Sequence, residues 1–206
     1  MSVAADSLVK PVSVASTQSL SPLQQQMKDE LFHIVKRLSF KTGDFVLASG
    51  QRSSYYIDCR LSTLDGRGAY LIGHLFYDLL QELHIDAVGG MTLGADPIIS
   101  SVIYRSAEVG QPISGFIVRK EAKSHGAGRQ IEGHLEPWMR VALVEDVVTT
   151  GGSSLKAIEA IQKCHPTAQI VQVLSIIDRE AGGAEAFSQL RIPFQPLYSV
   201  QEFLKG

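Results

Sequence analysis

Apolar residues in the first third of the chain recur at helical spacing. From Leu23 onward, Met27, Leu31, Ile34, Val35 and Leu38 fall on one stripe, which predicts an amphipathic helix ending before Lys41-Thr-Gly-Asp44. A short extended stretch over 45–47 follows, then a strand over 55–59 (Tyr-Tyr-Ile-Asp-Cys). A helix over 66–83 then places Leu71, Leu75 and Leu79 on one face. Beyond it the pattern alternates. A strand over 85–91, a helix over 96–108 and a strand over 113–118 lead into a long polar segment from Lys120 to Pro137. A strand over 141–144, a glycine-containing turn, a helix over 153–163 and a strand over 169–177 complete the series. Such alternation predicts an α/β fold, a doubly wound parallel sheet with helices on both faces. The unbroken apolar run Val141-Ala-Leu-Val144 agrees, because parallel strands are buried on both sides. No fixed-period repeat is present, which excludes a solenoid.

At 206 residues the chain fits one domain, with little room for a second. Residues 1–21, rich in Ser, Val and Ala and without apolar periodicity, read as a mobile tail, leaving 22–206 as the folded unit. With 45% apolar residues and a net charge of -2, from 19 basic and 21 acidic side chains, the chain predicts a globular protein with no nucleic-acid or membrane partner. Cys59 and Cys164 stand far apart and outside any metal-binding spacing, so neither a disulfide framework nor a zinc site is expected. No apolar run reaches the roughly 18 residues of a membrane span, and no signal pattern opens the chain. A cytoplasmic setting fits best.

The segment Val141-Ala-Leu-Val-Glu-Asp-Val-Val-Thr-Thr-Gly-Gly-Ser-Ser154 carries the most specific chemistry: a buried strand ending in two acids, then a hydroxyl and glycine turn that opens a helix. Consecutive backbone N–H groups at a helix N-terminus form a concave anion site, and Gly151 and Gly152 allow close approach, so a monophosphate fits there. Glu145 and Asp146, at the ligand edge of the sheet, can accept hydrogen bonds from sugar hydroxyls. The plainer reading is a strand-turn-helix in which Thr and Ser act as caps and the acids are solvated. No Walker A loop is present, and Gly126, Gly128 and Gly133 do not match the dinucleotide fingerprint.

A second cluster, Arg119-Lys-Glu-Ala-Lys-Ser-His-Gly-Ala-Gly-Arg129, sets four Lys or Arg residues and a histidine against one acid, Glu121. Its glycines argue against a stable helix or strand, so it reads either as a cationic lid or as a solvated charged loop. Cations closing over a leaving group that gains negative charge favour the transition state. Further on, Asp178-Arg179-Glu180 ends a strand at the ligand edge; arginine is a planar fork for a carboxylate, and a surface ion pair is its ordinary alternative.

Taken together, the 141–154 segment resembles the donor signature of the type I phosphoribosyltransferases, and Arg119 to Gly126 resembles the catalytic loop of orotate phosphoribosyltransferases within them. The resemblance covers 45–180. It implies that Glu145 and Asp146 hold the ribose hydroxyls and that Val147, Val148, Thr149, Thr150, Gly151, Gly152 and Ser153 bind the 5-phosphate. By the same resemblance Arg119, Lys120, Lys123 and His125 contact the diphosphate, with Lys123, His125 and Asp146 as the catalytic candidates and Lys123 leading. Arg179 and Thr149 match orotate contacts. Tyr56 and Ile57, in the stretch after Ser49-Gly50, match the cover over the base, although both residue types also suit an ordinary strand core.

The family further implies magnesium bridging donor oxygens, with Glu145 and Asp146 nearby and no dedicated protein metal site. It also implies a homodimer sharing the 119–134 loop, and a small hood over the base built from 22–60 and the C-terminal segment. The substrates implied are orotate and 5-phosphoribosyl 1-diphosphate. Two departures stand out. Ala48 occupies the place of a donor-binding lysine, and Thr92-Leu93 that of a Tyr-Lys pair, leaving backbone N–H groups of Thr92, Leu93 and Gly94 for diphosphate. A purine-specific relative would leave Arg179 and the loop string unexplained. A donor-sensing nucleic-acid regulator would need a further basic surface.

Overall fold

The computed structural model describes residues 20–46, 50, 52–121 and 129–205. Helix α1 (Pro22–Leu38) starts where the apolar periodicity starts and buries Met27, Leu31, Ile34 and Val35. Ser21, counted with the tail in sequence, caps it. Its hydroxyl accepts from the Gln24 amide at 3.2 Å, and the Gln24 side chain accepts from the Ser21 N–H at 2.9 Å. The remainder of the expected tail, 1–19, lies outside the described residues.

Strands β1 (Phe40–Val46) and β2 (Arg52–Ile57) form a separate antiparallel pair, with a register irregularity between Thr42 and Phe45. The strand read over 55–59 ends early. Ile57 pairs with Phe40, the first residue of β1, so Asp58 and Cys59 have no partner strand, and the chain turns into the short helix α2 (Arg60–Thr63). Asp65 then caps α3 (Gly66–Leu80), its carboxylate accepting from the Arg67 and Gly68 amides at 3.1 and 2.9 Å.

The rest alternates as the pattern predicts: β3 (Ala87–Met91), α4 (Asp96–Glu108), β4 (Ser114–Val118), β5 (Ile131–Gly133), β6 (Arg140–Val148), α5 (Gly152–Cys164), β7 (Gln169–Asp178), α6 (Gly183–Gln189), β8 (Phe194–Ser199) and α7 (Val200–Leu204). The six strands β3 to β8 lie in the order β5-β4-β3-β6-β7-β8, all parallel except β5. Successive residues of each strand face opposite ways. Val88, Ala142, Val144, Leu174 and Ile176 pack towards α1, α3 and α4, whereas Ala87, Val141, Leu143 and Val173 pack towards α5 and α6. This is the doubly wound sheet expected.

Three further features differ from the sequence reading. The polar segment 120–137 contains β5, which pairs with β4 through Val118↔Ile131 and Phe116↔Gly133, because the outer edge of β4 leaves backbone groups that a passing chain satisfies. Strand β6 does not end at its acids. It continues to Val148, held by β7 as far as Val148↔Asp178. In the C-terminal segment, expected beside the hood, β8 joins the main sheet alongside β7, and its Pro196 sits in an edge strand, where a missing N–H is tolerated. Both α7 and β8 reach the N-terminal elements: Phe203 stacks on Phe32 of α1 and Phe40 of β1 at 4.5 and 5.4 Å between ring centroids, and Tyr198 of β8 packs edge-on to Phe32 and donates its hydroxyl proton to Lys28 O of α1.

The strand order sets the site. From β3 the chain moves outward to β4, then returns across β3 to place β6 on its other side. The loops after β3 and β6 therefore diverge and open a crevice at the carboxyl edge, where doubly wound sheets bind ligands.

Candidate active site

A cavity of about 1090 Å³ occupies that crevice. Its floor comes from the end of β6 and the turn after it, through Glu145, Asp146, Val147, Thr149 and Ser153; one wall comes from Met91 to Gly94 after β3. Arg119 to Glu121 after β4, Arg179 after β7, and Tyr56 to Asp58 with Arg60 from the β2–α2 junction close the rest. Segments far apart in sequence thus meet in one place.

The turn between β6 and α5 leaves amides free. The N-cap of α5 is Gly151, at φ +77°, and no side chain caps the helix, so the plainer reading of Thr and Ser as caps does not hold. The first intrahelical acceptor, Gly151 O, bonds Leu155 N at 2.9 Å, and the N–H groups before it face outward at the positive end of the helix. A Cβ at Gly151 would also stand 3.1 Å from the Phe187 ring, so this position favours glycine both sterically and conformationally. Thr149 and Ser153 line the cavity, while Thr150, Gly151 and Gly152 form the turn itself. Val148 departs from the sequence expectation. Its side chain is buried in the core on the α5 face, and its carbonyl accepts from Arg179 N–H at 2.8 Å, so it supports the turn from behind.

Glu145 and Asp146 are adjacent carboxylates in a buried strand. Burial, then the neighbouring Asp146 charge, pushes Glu145 up to about 9, and Glu145 Oε2 has no hydrogen-bond partner. Asp146 is raised as well, chiefly by burial, although Val147 N–H donates to its Oδ1 at 2.8 Å. Two carboxylates so placed hold a proton between them until a cation or hydroxyl donors arrive. Gly94 lies directly opposite. A Cβ there would stand 2.7 Å from Asp146 Oδ1 and 3.2 Å from Glu145 Oε1, so glycine is what lets the β3 loop close on the acids.

Of the three amides expected after β3, that of Thr92 is already engaged by Val118 O at 2.9 Å, and its hydroxyl donates to Asp96 at 2.8 Å. Leu93 and Gly94 remain to face a ligand. Arg119 sits at the root of the basic loop, which is pinned by Arg119 N–H to Gln130 O at 2.8 Å and by the β4–β5 pairing. Arg119 and Lys120 line the cavity; Lys123, His125 and the substituted position Ala48 lie outside the described residues.

Sequence reasoning missed part of the β2–α2 wall. Asp58 and Arg60 form a two-point ion pair at 2.8 and 2.8 Å, and the Arg60 guanidinium holds the Asp58 carboxyl below its ordinary range. An acid and an arginine two residues apart after a strand are the signal that could have marked them. Tyr55 was also missed. Its neighbour Tyr56 is exposed and Ile57 packs partly against the core, but Tyr55 touches Arg179. Among the described residues, no group of three or more His, Cys, Asp and Glu side chains is arranged to hold a metal, and no helix is long and apolar enough to cross a membrane.

Comparison with known proteins gives a consistent answer. No protein-family model matches the chain. It is 44% identical over 180 residues to an orotate phosphoribosyltransferase from Aquifex aeolicus, covering 86% of this chain and 97% of that one. It is 45% identical over 186 residues to another from Thermosynechococcus vestitus, covering 90% and 95%. Among solved structures, the Mycobacterium tuberculosis orotate phosphoribosyltransferase in complex with 5-phospho-alpha-D-ribosyl 1-diphosphate superposes with a TM-score of 0.73 at 34% identity, covering 86% of this chain and 98% of that one. Both the sequence relatives and the shared architecture lead to one conclusion: the chain belongs to the orotate phosphoribosyltransferase family.

Proposed function

We propose that the chain transfers the 5-phosphoribosyl group of 5-phosphoribosyl 1-diphosphate to N1 of orotate, giving orotidine 5-phosphate and diphosphate, a cytoplasmic step of pyrimidine nucleotide synthesis. The observation that carries this reading is the convergence in one cavity of the uncapped α5 N-terminus, the buried acid pair and Arg179. A ribose 5-phosphate laid across the end of β6 puts its phosphate on the amides of 149–153 and its hydroxyls on Glu145 and Asp146. The anomeric carbon then faces Arg179, Tyr56 and Ile57, with orotate held through its carboxylate by Arg179 and by Thr149. Leu93 and Gly94 N–H groups, with Arg119 and Lys120, take the diphosphate.

Magnesium suits this cavity because a hard cation can use donor oxygens together with nearby carboxylates, and Glu145 Oε2 is a buried oxygen still lacking a partner. When bound with the donor it supplies charge neutralisation on the leaving diphosphate. Lys123 and His125 complete the cationic surface there, with Lys123 as the main catalytic side chain and Asp146 holding the sugar as positive charge develops on it. The working unit is a homodimer sharing the 119–134 loop, and the β1–β2 pair with α1 and α7 serves as the hood over the base. Diphosphate release that depends on orotate and magnesium tests the assignment. Release with a purine base and none with orotate refutes it.

A further inference from the structure

Arg179 leaves the end of β7 just before Glu180, whose φ of 54° turns the chain away, so its long side chain needs a support to present one fixed face to a ligand. The support comes from the hairpin. Arg179 Nε donates to the Tyr55 hydroxyl at 3.3 Å, and the guanidinium carbon lies 4.9 Å from the centre of the Tyr55 ring. Tyr55 is itself braced by Phe40, stacked at 5.6 Å, and Phe40 by Phe203 of α7 at 5.4 Å. The same helix holds the other flank of Arg179, because the α7 cap Ser199 donates its hydroxyl proton to Glu180 at 2.6 Å.

We infer that Tyr55 is a positioning residue for base recognition, acting through Arg179. With Nε occupied by the Tyr55 hydroxyl and the guanidinium resting on the ring, the free edge is the Nη1–Nη2 pair, which is the end-on fork that accepts a planar carboxylate with two parallel bonds. Tyr55 thereby selects the orientation in which Arg179 meets the base, and the aromatic column through Phe40 ties that orientation to the C-terminal helix. The inference rests on the reading of Arg179 as the orotate ligand.

Four variants test it: Tyr55→Phe, Tyr55→Leu, Arg179→Ala and the Tyr55→Phe/Arg179→Ala double variant. For each, KM for orotate, KM for the sugar donor, kcat and Tm are measured. Tyr55→Phe, which removes only the hydroxyl, is expected to raise the orotate KM roughly fivefold. Tyr55→Leu, which also removes the ring face, is expected to raise it further, with the donor KM held within about twofold in both. In the Arg179→Ala background, Tyr55→Phe should add nothing. An orotate KM unchanged by Arg179→Ala sinks the reading of Arg179 beneath. A raised orotate KM in Arg179→Ala, with no change in Tyr55→Phe or with the Tyr55→Phe effect intact in the double variant, overturns the positioning role alone. Should Tyr55→Leu fail to fold, Tyr55→Phe and the double variant decide the matter.

Discussion

Glu145→Gln separates the cost of the active site from its use. Glu145 is only 6% exposed, and burial with the adjacent Asp146 raises its pKa from 4.5 to about 9. A carboxyl whose folded pKa is raised binds a proton in the native state that the unfolded chain has released, so stability falls as pH rises from the unfolded value towards the folded one. At pH 7 the native state must take up a proton that the unfolded glutamate has already lost. At 1.36 kcal/mol per unit, this sets an upper bound of about 3 kcal/mol on the destabilisation, to be shared with Asp146. Glutamine keeps the shape and removes this titration. Urea unfolding of wild type and Glu145→Gln between pH 5.5 and pH 8.5 should show a shallower fall in stability for the variant. At pH 8, where the same reasoning raises the bound to about 4–5 kcal/mol, the variant should be more stable by about 1–2 kcal/mol, less than half of it. Its KM for the sugar donor should rise. Parallel pH profiles for the two proteins would refute the assignment of a strained, proton-sharing acid pair.

Lys123→Ala should lower kcat at least about a hundredfold while leaving Tm in place, as expected of a cation used for transition-state charge; comparison of steady-state rates with thermal unfolding checks it. Gly94→Ala should push the β3 loop off the acids, since its Cβ would stand 2.7 Å from Asp146 Oδ1, and raise the donor KM about tenfold with a smaller change for orotate. Leu31→Ala, at a site of 0% exposure on α1, should cost about 2–5 kcal/mol in urea unfolding without altering KM for either substrate.

Much of the architecture was legible because it follows from local pattern. The helix read over 96–108 coincides with α4, and the 141–154 segment showed both its buried strand and its helix N-terminus. What escaped depended on partners remote in sequence. Three residues, Ile131–Gly133, have no periodicity of their own and become a strand only because β4 offers them an edge. Phe194–Ser199 contains a proline and polar residues, and pairs only because β7 is already in place. In the candidate site, the acids and Arg179 were marked by residue type and position. The contact of Tyr55 with Arg179 was not, because it depends on which face of β2 turns towards a residue 124 positions away. The Val118 carbonyl that removes Thr92 from the available amides was hidden for the same reason.

The reversal of strand order between β3 and β6 has a consequence for how this protein can change. In the proposed function, sugar-phosphate recognition falls mainly to β6 and its turn, and base recognition mainly to the end of β7 and to a hairpin outside the main sheet, all of which line one cavity. The two tasks therefore sit largely on different pieces of chain, joined where β6 pairs with β7 and Val148 O accepts from Arg179 N–H. Altering the preferred base calls for new side chains on β2 and at position 179. Apart from Thr149, the β6 turn can stay as it is, so the same donor machinery can serve a different acceptor.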